Sequence, residues 1–146
     1  MRMKVIVSGA ALAAILGAAL FLFLREDETV ARGRVLYNAN CASCHGANLE
    51  GQPDWQIVGE DGILPAPPHD DSGHTWHHSD TVLIDYITLG GEGAMAKTGV
   101  PFNSGMPAFG EVLSDQEIAS ILAFIKSTWS ERERSYQADQ TAAENG

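Results

Sequence analysis

The stretch Cys41-Ala42-Ser43-Cys44-His45 contains both cysteines of the 146-residue chain. Two cysteines alone exclude a multi-disulfide scaffold and a zinc site made of four cysteines. A redox-active dithiol of the thioredoxin type has the same cysteine spacing, but it needs no histidine here and lies beside a sheet. The sequence offers no obvious strands, so the histidine directly after Cys44 indicates a different chemistry.

Two cysteines at this spacing, followed at once by a histidine, are typical of covalent haem c attachment. Each thiol adds to one vinyl group of the porphyrin, so the chain between the thiols has to match the separation of the vinyl groups. The adjacent histidine is thereby carried to the iron, where its Nε2 can bind. The sequence predicts one covalent haem c at Cys41 and Cys44, with His45 as the proximal iron ligand.

A sixth iron ligand is expected if the protein only carries electrons, because an open position invites oxygen and peroxide chemistry. Methionine sulfur is a usual partner of histidine on haem c iron. Met1 and Met3 lie at the extreme N-terminus, which leaves Met95 and Met106. Met95 follows a glycine run, whereas Met106 lies in a proline-containing turn before the last predicted helix. Met106 is therefore the predicted distal ligand, with an ordinary core methionine as the alternative role.

The first 24 residues indicate the compartment. Positive charge at Arg2 and Lys4 precedes an uncharged run from Val5 to Leu24, and twenty helical residues span about 30 Å. Charge in this order favours export of everything that follows. A cleaved signal peptide is the alternative, with small residues at 17–19 as the cleavage site. We predict a transmembrane anchor over residues 1–24, in the inner membrane, with the haem domain on the periplasmic side.

The exported part is predicted to be all-α. Residues 25–29 form a charged linker, and a helix runs from Val30 to about Asn40. Residues 46–79 have no clear periodicity, and a loop of this length is unusual unless it packs on a large cofactor.

Two further helices follow this loop. One begins at Ser79 or Asp80 and ends at the glycine run of residues 90–93. The other begins with a capping box at residues 114–117 and repeats apolar residues every three or four positions. The folded domain is assigned to residues 30–130, and residues 131–146 form a polar tail that we expect to be frayed or disordered.

The sequence resembles the bacterial class I monohaem c-type cytochromes from about Thr29 to Trp129. The elements follow the order of that family: a first helix, the haem motif, a long loop, a middle helix, a methionine loop and a last helix. Residues 106–109 are similar to the bacterial form of the methionine loop. The resemblance implies a small cytochrome c fold of three to four helices around the haem, here preceded by one transmembrane helix.

The same resemblance implies specific contacts. In the family the first and last helices cross through a glycine and an aromatic residue, which places Gly33 and Tyr37 against Ile121 and Phe124. A loop proline carbonyl also accepts the Nδ1 proton of the proximal histidine. Among the prolines of the long loop, Pro67 is our choice over its neighbours at positions 65 and 68.

Four histidines lie within ten residues, at positions 69, 74, 77 and 78. One hypothesis is a second metal site, since imidazole binds copper and zinc. The alternative is that the loop packs at the haem edge, where Trp76 and one or two histidines donate hydrogen bonds to the haem propionates. In that case the reduction potential would depend on pH near neutrality.

The formal net charge of −10, from 19 acidic and 9 basic side chains, makes nucleic acid an unsuitable partner. The predicted function is a single-electron carrier between membrane redox complexes, not an enzyme and without a small-molecule substrate. The resemblance implies respiratory or photosynthetic complexes as partners. Two alternatives stay open: a fixed haem c subunit of a dehydrogenase or oxidase, and a haem enzyme or gas sensor in which Met106 does not bind.

Overall fold

The computed structural model describes residues 9–145, with side chains for residues 14–17 and 28–144. All regular secondary structure within this range is helical, which confirms the predicted all-α class. The elements in chain order are α1 (Gly9–Asn40), α2 (Ala42–His45), a 3-10 helix (Thr75–His77), α3 (Asp80–Ala96), α4 (Asp115–Ser127) and α5 (Glu131–Asn145). The loop between α2 and α3 is irregular apart from the 3-10 helix, as predicted.

The centre of the fold is the crossing of α1 and α4. A Cβ built on Gly33 would lie 1.8 Å from the carbonyl oxygen of Ser120, so only glycine allows the two backbones to approach this closely. Tyr37 and Ile121 are fully buried there, and the rings of Tyr37 and Phe124 are 5.4 Å apart. The crossing implied by the family resemblance is therefore present.

The helix starts follow the local sequence signals. Ser114 and Glu117 form the predicted capping box of α4, with each side chain bonded to the other residue's backbone N–H. Ser79 caps α3 by accepting from the N–H of Val82. Leu83 and Ile87 of α3 are buried in the same core as α4.

The expectation that α3 ends at the glycine run is wrong in part. Gly90 has a non-helical backbone with φ 73° and ψ 171°, yet helical structure resumes after it and continues to Ala96. Residues 94–96 are good helix formers, so the chain returns to helix once the glycine has changed its direction.

The N-terminal segment also differs from the expectation of a separate linker. Helix α1 is continuous through residues 25–29, where charged residues are compatible with a helix and neither glycine nor proline interrupts it. Within the described range no helix combines the length and the apolarity needed to cross a membrane. The predicted anchor includes residues 1–8, which lie outside the described residues.

The expectation of a disordered tail is wrong, because residues 131–145 form α5. Its buried Gln137, 2% exposed, donates from Nε2 to the carbonyl of His78 at 3.2 Å and to Asp80 at 2.6 Å. Tyr136 contacts the ring of Trp76 at 5.5 Å. This helix is held by polar contacts and one aromatic side chain, so the apolar periodicity that reveals an ordinary amphipathic helix is absent from its sequence.

Candidate functional site

The cysteine–histidine motif lies where α1 passes into α2. The N–H of Cys41 donates to the carbonyl of Tyr37 at 2.8 Å, and the N–H of His45 donates to the carbonyl of Cys41 at 2.9 Å. The motif is thus a single helical turn, and side chains three and four residues apart lie on the same face of a turn. Cys41, Cys44 and His45 therefore point to one side, with Cys41 partly buried and Cys44 exposed.

The ring of His45 is fixed by one hydrogen bond. Its Nδ1 lies 2.9 Å from the carbonyl oxygen of Pro67. A carbonyl can only accept, so Nδ1 carries the proton and Nε2 is left with a free lone pair. Burial lowers the pKa of His45, against a smaller opposing effect of the Pro67 hydrogen bond, so the imidazole is neutral. This is the tautomer that binds a metal through Nε2. The contact expected for Pro67 is present.

The backbone around His45 is held from two directions. The hydroxyl of Tyr37 donates to the carbonyl of Gly46 at 2.9 Å, and the N–H of Gly51 donates to the carbonyl of His45 at 2.8 Å. Burial, with smaller contributions from Cys41, Glu50 and Asp70, raises the pKa of Tyr37, so its hydroxyl stays protonated and keeps donating. The central crossing of the fold is thereby linked to the motif.

The loop that carries Met106 is attached to the break in α3. Because Gly90 interrupts the helix, the carbonyls of Ile87 and Thr88 are free to accept from the N–H groups of Phe109 and Gly110, at 2.9 and 3.0 Å. The N–H of Gly91 donates in turn to the carbonyl of Met106 at 3.1 Å. Three backbone hydrogen bonds therefore set the position of this loop.

The two candidate methionines occupy different places. Met106 is partly buried and packs against the hydrophobic core, and its N–H donates to Oγ of Ser104 at 3.1 Å. Met95 lies in the part of α3 beyond the Gly90 break, where it lines a surface cavity with His78 and Tyr86. The loop of Met106 is thus built onto the core, whereas Met95 lines a cavity at the surface.

Comparison with known proteins decides the family. A model of the cytochrome c family matches residues 30–129. The chain belongs to the cytochrome c family. Its cofactor is therefore covalent haem c, for which the two cysteines provide the attachment pattern.

The chain is also similar to subunit CcoP of a cbb3-type cytochrome c oxidase from Azospirillum sp. (strain B510), with 29% identity over 96 residues. The alignment covers 66% of this chain but only 27% of that relative. The chain therefore spans about a quarter of the length of the curated relative it matches. No solved structure matches the chain significantly.

The long loop between α2 and α3 contains two buried side-chain nitrogen atoms, at residues 74 and 76, that bear on whether a haem fits here. Nε1 of Trp76 and Nδ1 of His74 have no hydrogen-bond partner among the described residues. A buried unsatisfied donor costs about 1–3 kcal/mol, so a partner outside the polypeptide is expected. The carboxylates of haem propionates would provide acceptors, and the two cysteines and His45 would supply the thiols and the imidazole that haem c requires.

A second metal site receives no such support. Across residues 9–145, no group of three or more His, Cys, Asp and Glu side chains is arranged to hold a metal ion. The histidine rings contact aromatic neighbours instead: His74 stacks on Trp55 with centroids 5.2 Å apart, and His77 contacts Trp76 edge-on at 3.8 Å.

His69 has a position that sequence reasoning missed. Its ring stacks on the ring of His45, with centroids 4.1 Å apart and planes inclined by 22°. Burial, followed by the neighbouring His45 and His74, lowers the pKa of His69 to about 3, so the ring is neutral near pH 7. The sequence placed His69 only within a cluster of histidines, and spacing along a loop carries no signal for a stacked pair.

Proposed function

We propose that this protein is a single-electron carrier whose haem c is attached at Cys41 and Cys44 and ligated by His45 and Met106. The observation that carries the proposal is the His45–Pro67 hydrogen bond, which fixes the proton of a buried imidazole on Nδ1 and leaves the Nε2 lone pair available to a metal. The Met106 loop, attached to the same core through the break in α3, supports the distal assignment.

The residues of the chain have defined tasks in such a carrier. The haem supplies an iron that alternates between the ferric and ferrous states. Pro67 holds the imidazole of His45 in one tautomer, and the backbone bonds of the methionine loop fix where Met106 can lie. Trp76 would donate a hydrogen bond to a propionate. A polypeptide that fixes both ligands in advance needs little rearrangement when the charge of the iron changes.

We also propose a location and a class of partners. The uncharged run from Val5 to Leu24, with Arg2 and Lys4 before it, supports anchoring in the inner membrane and a haem domain on the periplasmic side. An anchor would raise the effective concentration of the domain at membrane-bound respiratory or photosynthetic complexes. The acidic chain favours docking faces that are basic or apolar.

The similarity to an oxidase subunit favours a second candidate. CcoP is part of a cytochrome c oxidase, so this chain could be a fixed haem c subunit of a comparable redox complex. Purification from its native membrane distinguishes the two functions. Copurification in a constant ratio with a larger complex favours the subunit, and isolation as a free monohaem protein favours the carrier.

Absorption spectra of the ferric and ferrous full-length protein, with and without carbon monoxide, test the proposed ligands. We expect the unmodified protein to be low-spin and unreactive towards carbon monoxide. Met106→Ala should open the sixth position and allow carbon monoxide to bind within the mixing time. Met95→Ala is the matched control, and it should keep the spectrum of the unmodified protein because this methionine lies beyond the break in α3.

Two results would contradict this assignment. Carbon monoxide binding by the unmodified protein would indicate an open iron and a haem enzyme or sensor. A ligand loss in Met95→Ala with a normal spectrum in Met106→Ala would exchange the roles of the two methionines.

A further inference from the structure

His69 is in contact with four separate parts of the fold. Its ring stacks on His45 and meets the ring of Tyr37 edge-on at 6.4 Å. Its backbone N–H donates to the carbonyl of Leu49 at 2.8 Å, and its carbonyl accepts from Nε1 of Trp129 at 2.8 Å. Main chain and side chain of His69 are thus both held by residues of the core.

The plane of the His69 ring is set by Thr75. The hydroxyl of Thr75 donates to the carbonyl of Pro68 at 3.3 Å, and the same oxygen lies 2.8 Å from Nδ1 of His69. A hydroxyl has one proton, and this proton is directed to Pro68, so Nδ1 of His69 must be the donor in its bond to Thr75. The ring is therefore held in one tautomer and one orientation.

Hydrogen bonds connect the two stacked rings to the carbonyl groups of two adjacent prolines. His45 donates to Pro67, and His69 is linked through Thr75 to Pro68. The Pro67 bond fixes the position of one ring atom of His45. That bond and a metal at Nε2 hold two ring atoms, and the ring can still tilt about the line through them within the freedom that its Cβ–Cγ bond leaves. A second flat ring with its centroid 4.1 Å away, itself held by its bond to Thr75, opposes this tilt.

We infer that His69 is a positioning residue that fixes the plane of the His45 ring through this stacked contact. The inference rests on the proposed function, because it requires His45 to be the proximal iron ligand. The orientation of that ring determines how the imidazole orbitals meet the iron. A change in ring plane therefore alters the magnetic anisotropy of the ferric protein even when both ligands remain bound.

Electron paramagnetic resonance of the ferric full-length protein tests this role with three variants and a control. His69→Leu removes the flat ring but keeps an apolar side chain, and His69→Phe keeps the flat ring but loses the bond to Thr75. Thr75→Val removes the bond and leaves the ring of His69. His77→Gln, at an exposed histidine of the same loop, is the control.

We expect His69→Leu to shift or broaden the low-spin g values while the absorption band of methionine-bound iron remains. His69→Phe and Thr75→Val, which both keep a flat ring but lose the bond between residues 69 and 75, should each give a smaller change than His69→Leu, and the control should give none. Unchanged g values in folded His69→Leu would overturn the inference, as would a change in His69→Phe as large as that in His69→Leu. If His69→Leu does not retain haem, a shift of the g values in Thr75→Val supports the inference, and unchanged g values in both remaining variants overturn it.

Failure of the proposed function is distinguishable from failure of this inference. An unmodified protein without a low-spin, histidine–methionine spectrum would contradict the ligand assignment itself. A normal spectrum of the unmodified protein with g values insensitive to His69 would contradict the inference alone.

Discussion

The two sides of the proposed haem site are held by different kinds of contact. On the proximal side, side chains make the decisive contacts: His45 bonds Pro67 through Nδ1, and its ring stacks on His69. On the distal side the backbone makes them, through bonds from the Met106 loop to the carbonyls of Ile87 and Thr88. No side-chain hydrogen bond orients the thioether of Met106, since sulfur is a weak acceptor.

This difference predicts which ligand is lost first. Displacement of the His45 ring has to break a hydrogen bond and a stacked contact, and the motif is covalently attached besides. Movement of Met106 requires only that a short loop separates from the break in α3. We therefore expect the distal ligand to dissociate under milder conditions than the proximal ligand, and the following changes test that difference in order of decreasing effect.

The largest effect is expected at the shared crossing of α1 and α4, where both sides should fail together. Gly33→Ala would place a Cβ 1.8 Å from the carbonyl of Ser120 and should destabilise the fold by about 2–3 kcal/mol. Gly17→Ala in the same helix, where a Cβ would meet nothing within 4 Å, is the control and should cost nothing. Guanidinium unfolding measures both, and equal stability of the two variants would show that the crossing is not close-packed.

A smaller and local effect is expected at the break in α3, and it should separate the two sides. Gly90→Ala forces a side chain into a backbone region that is almost exclusive to glycine, 2.8 Å from the carbonyl of Met106, and should cost about 1–3 kcal/mol. Gly99→Ala is the control, because Gly99 also has positive φ but its Cβ would meet nothing within 4 Å.

Carbon monoxide binding to the ferrous state of both variants measures the distal ligand. We expect Gly90→Ala to bind carbon monoxide faster than the control while the haem stays attached. Equal binding rates would mean that the break in α3 does not determine the strength of the methionine bond.

The parts of the molecule that could be predicted are those whose structure depends on residues close together in the sequence. The capping box at Ser114, the haem motif at Cys41–His45 and the apolar repeat of α4 each depend on residues within a few positions of one another. The contact between His45 and Pro67 was accessible because the family resemblance supplied it, and the choice among three prolines was correct for the hydrogen bond that the structure shows.

The parts that were missed depend on long-range polar contacts. Helix α5 is held by a hydrogen bond from Gln137 to the carbonyl of His78. Neither residue is apolar, so no periodic apolar pattern predicted the helix. The stacking of His69 on His45 joins a residue of the irregular loop to the motif that precedes the loop. In both cases the folded backbone had to be known before the pairing of polar groups could be found.

The smallest effect is expected from the remaining histidines of that loop. Burial, with a smaller contribution from His77, lowers the pKa of His74, and burial followed by His74 and His77 lowers the pKa of His78. Below about pH 6.5 the unfolded chain therefore binds more protons than the folded one, and stability should fall as the pH decreases from 7.5 to 5.5. Both side chains are half-exposed, so screening limits their share of the loss to a few tenths of a kcal/mol, in addition to the larger loss from His69.

Guanidinium unfolding across this pH range, for the unmodified protein and for His74→Gln/His78→Gln, checks the sign. The double variant should lose less stability than the unmodified protein as the pH falls. The opposite result, in which the histidines make the fold more stable at low pH, would mean that an anion faces them in the folded state. The haem propionates would be such anions, because Nδ1 of His74 and Nε1 of Trp76 are buried without a partner among the described residues. A reversed sign would therefore place the propionate edge at this loop and make the reduction potential depend on pH there.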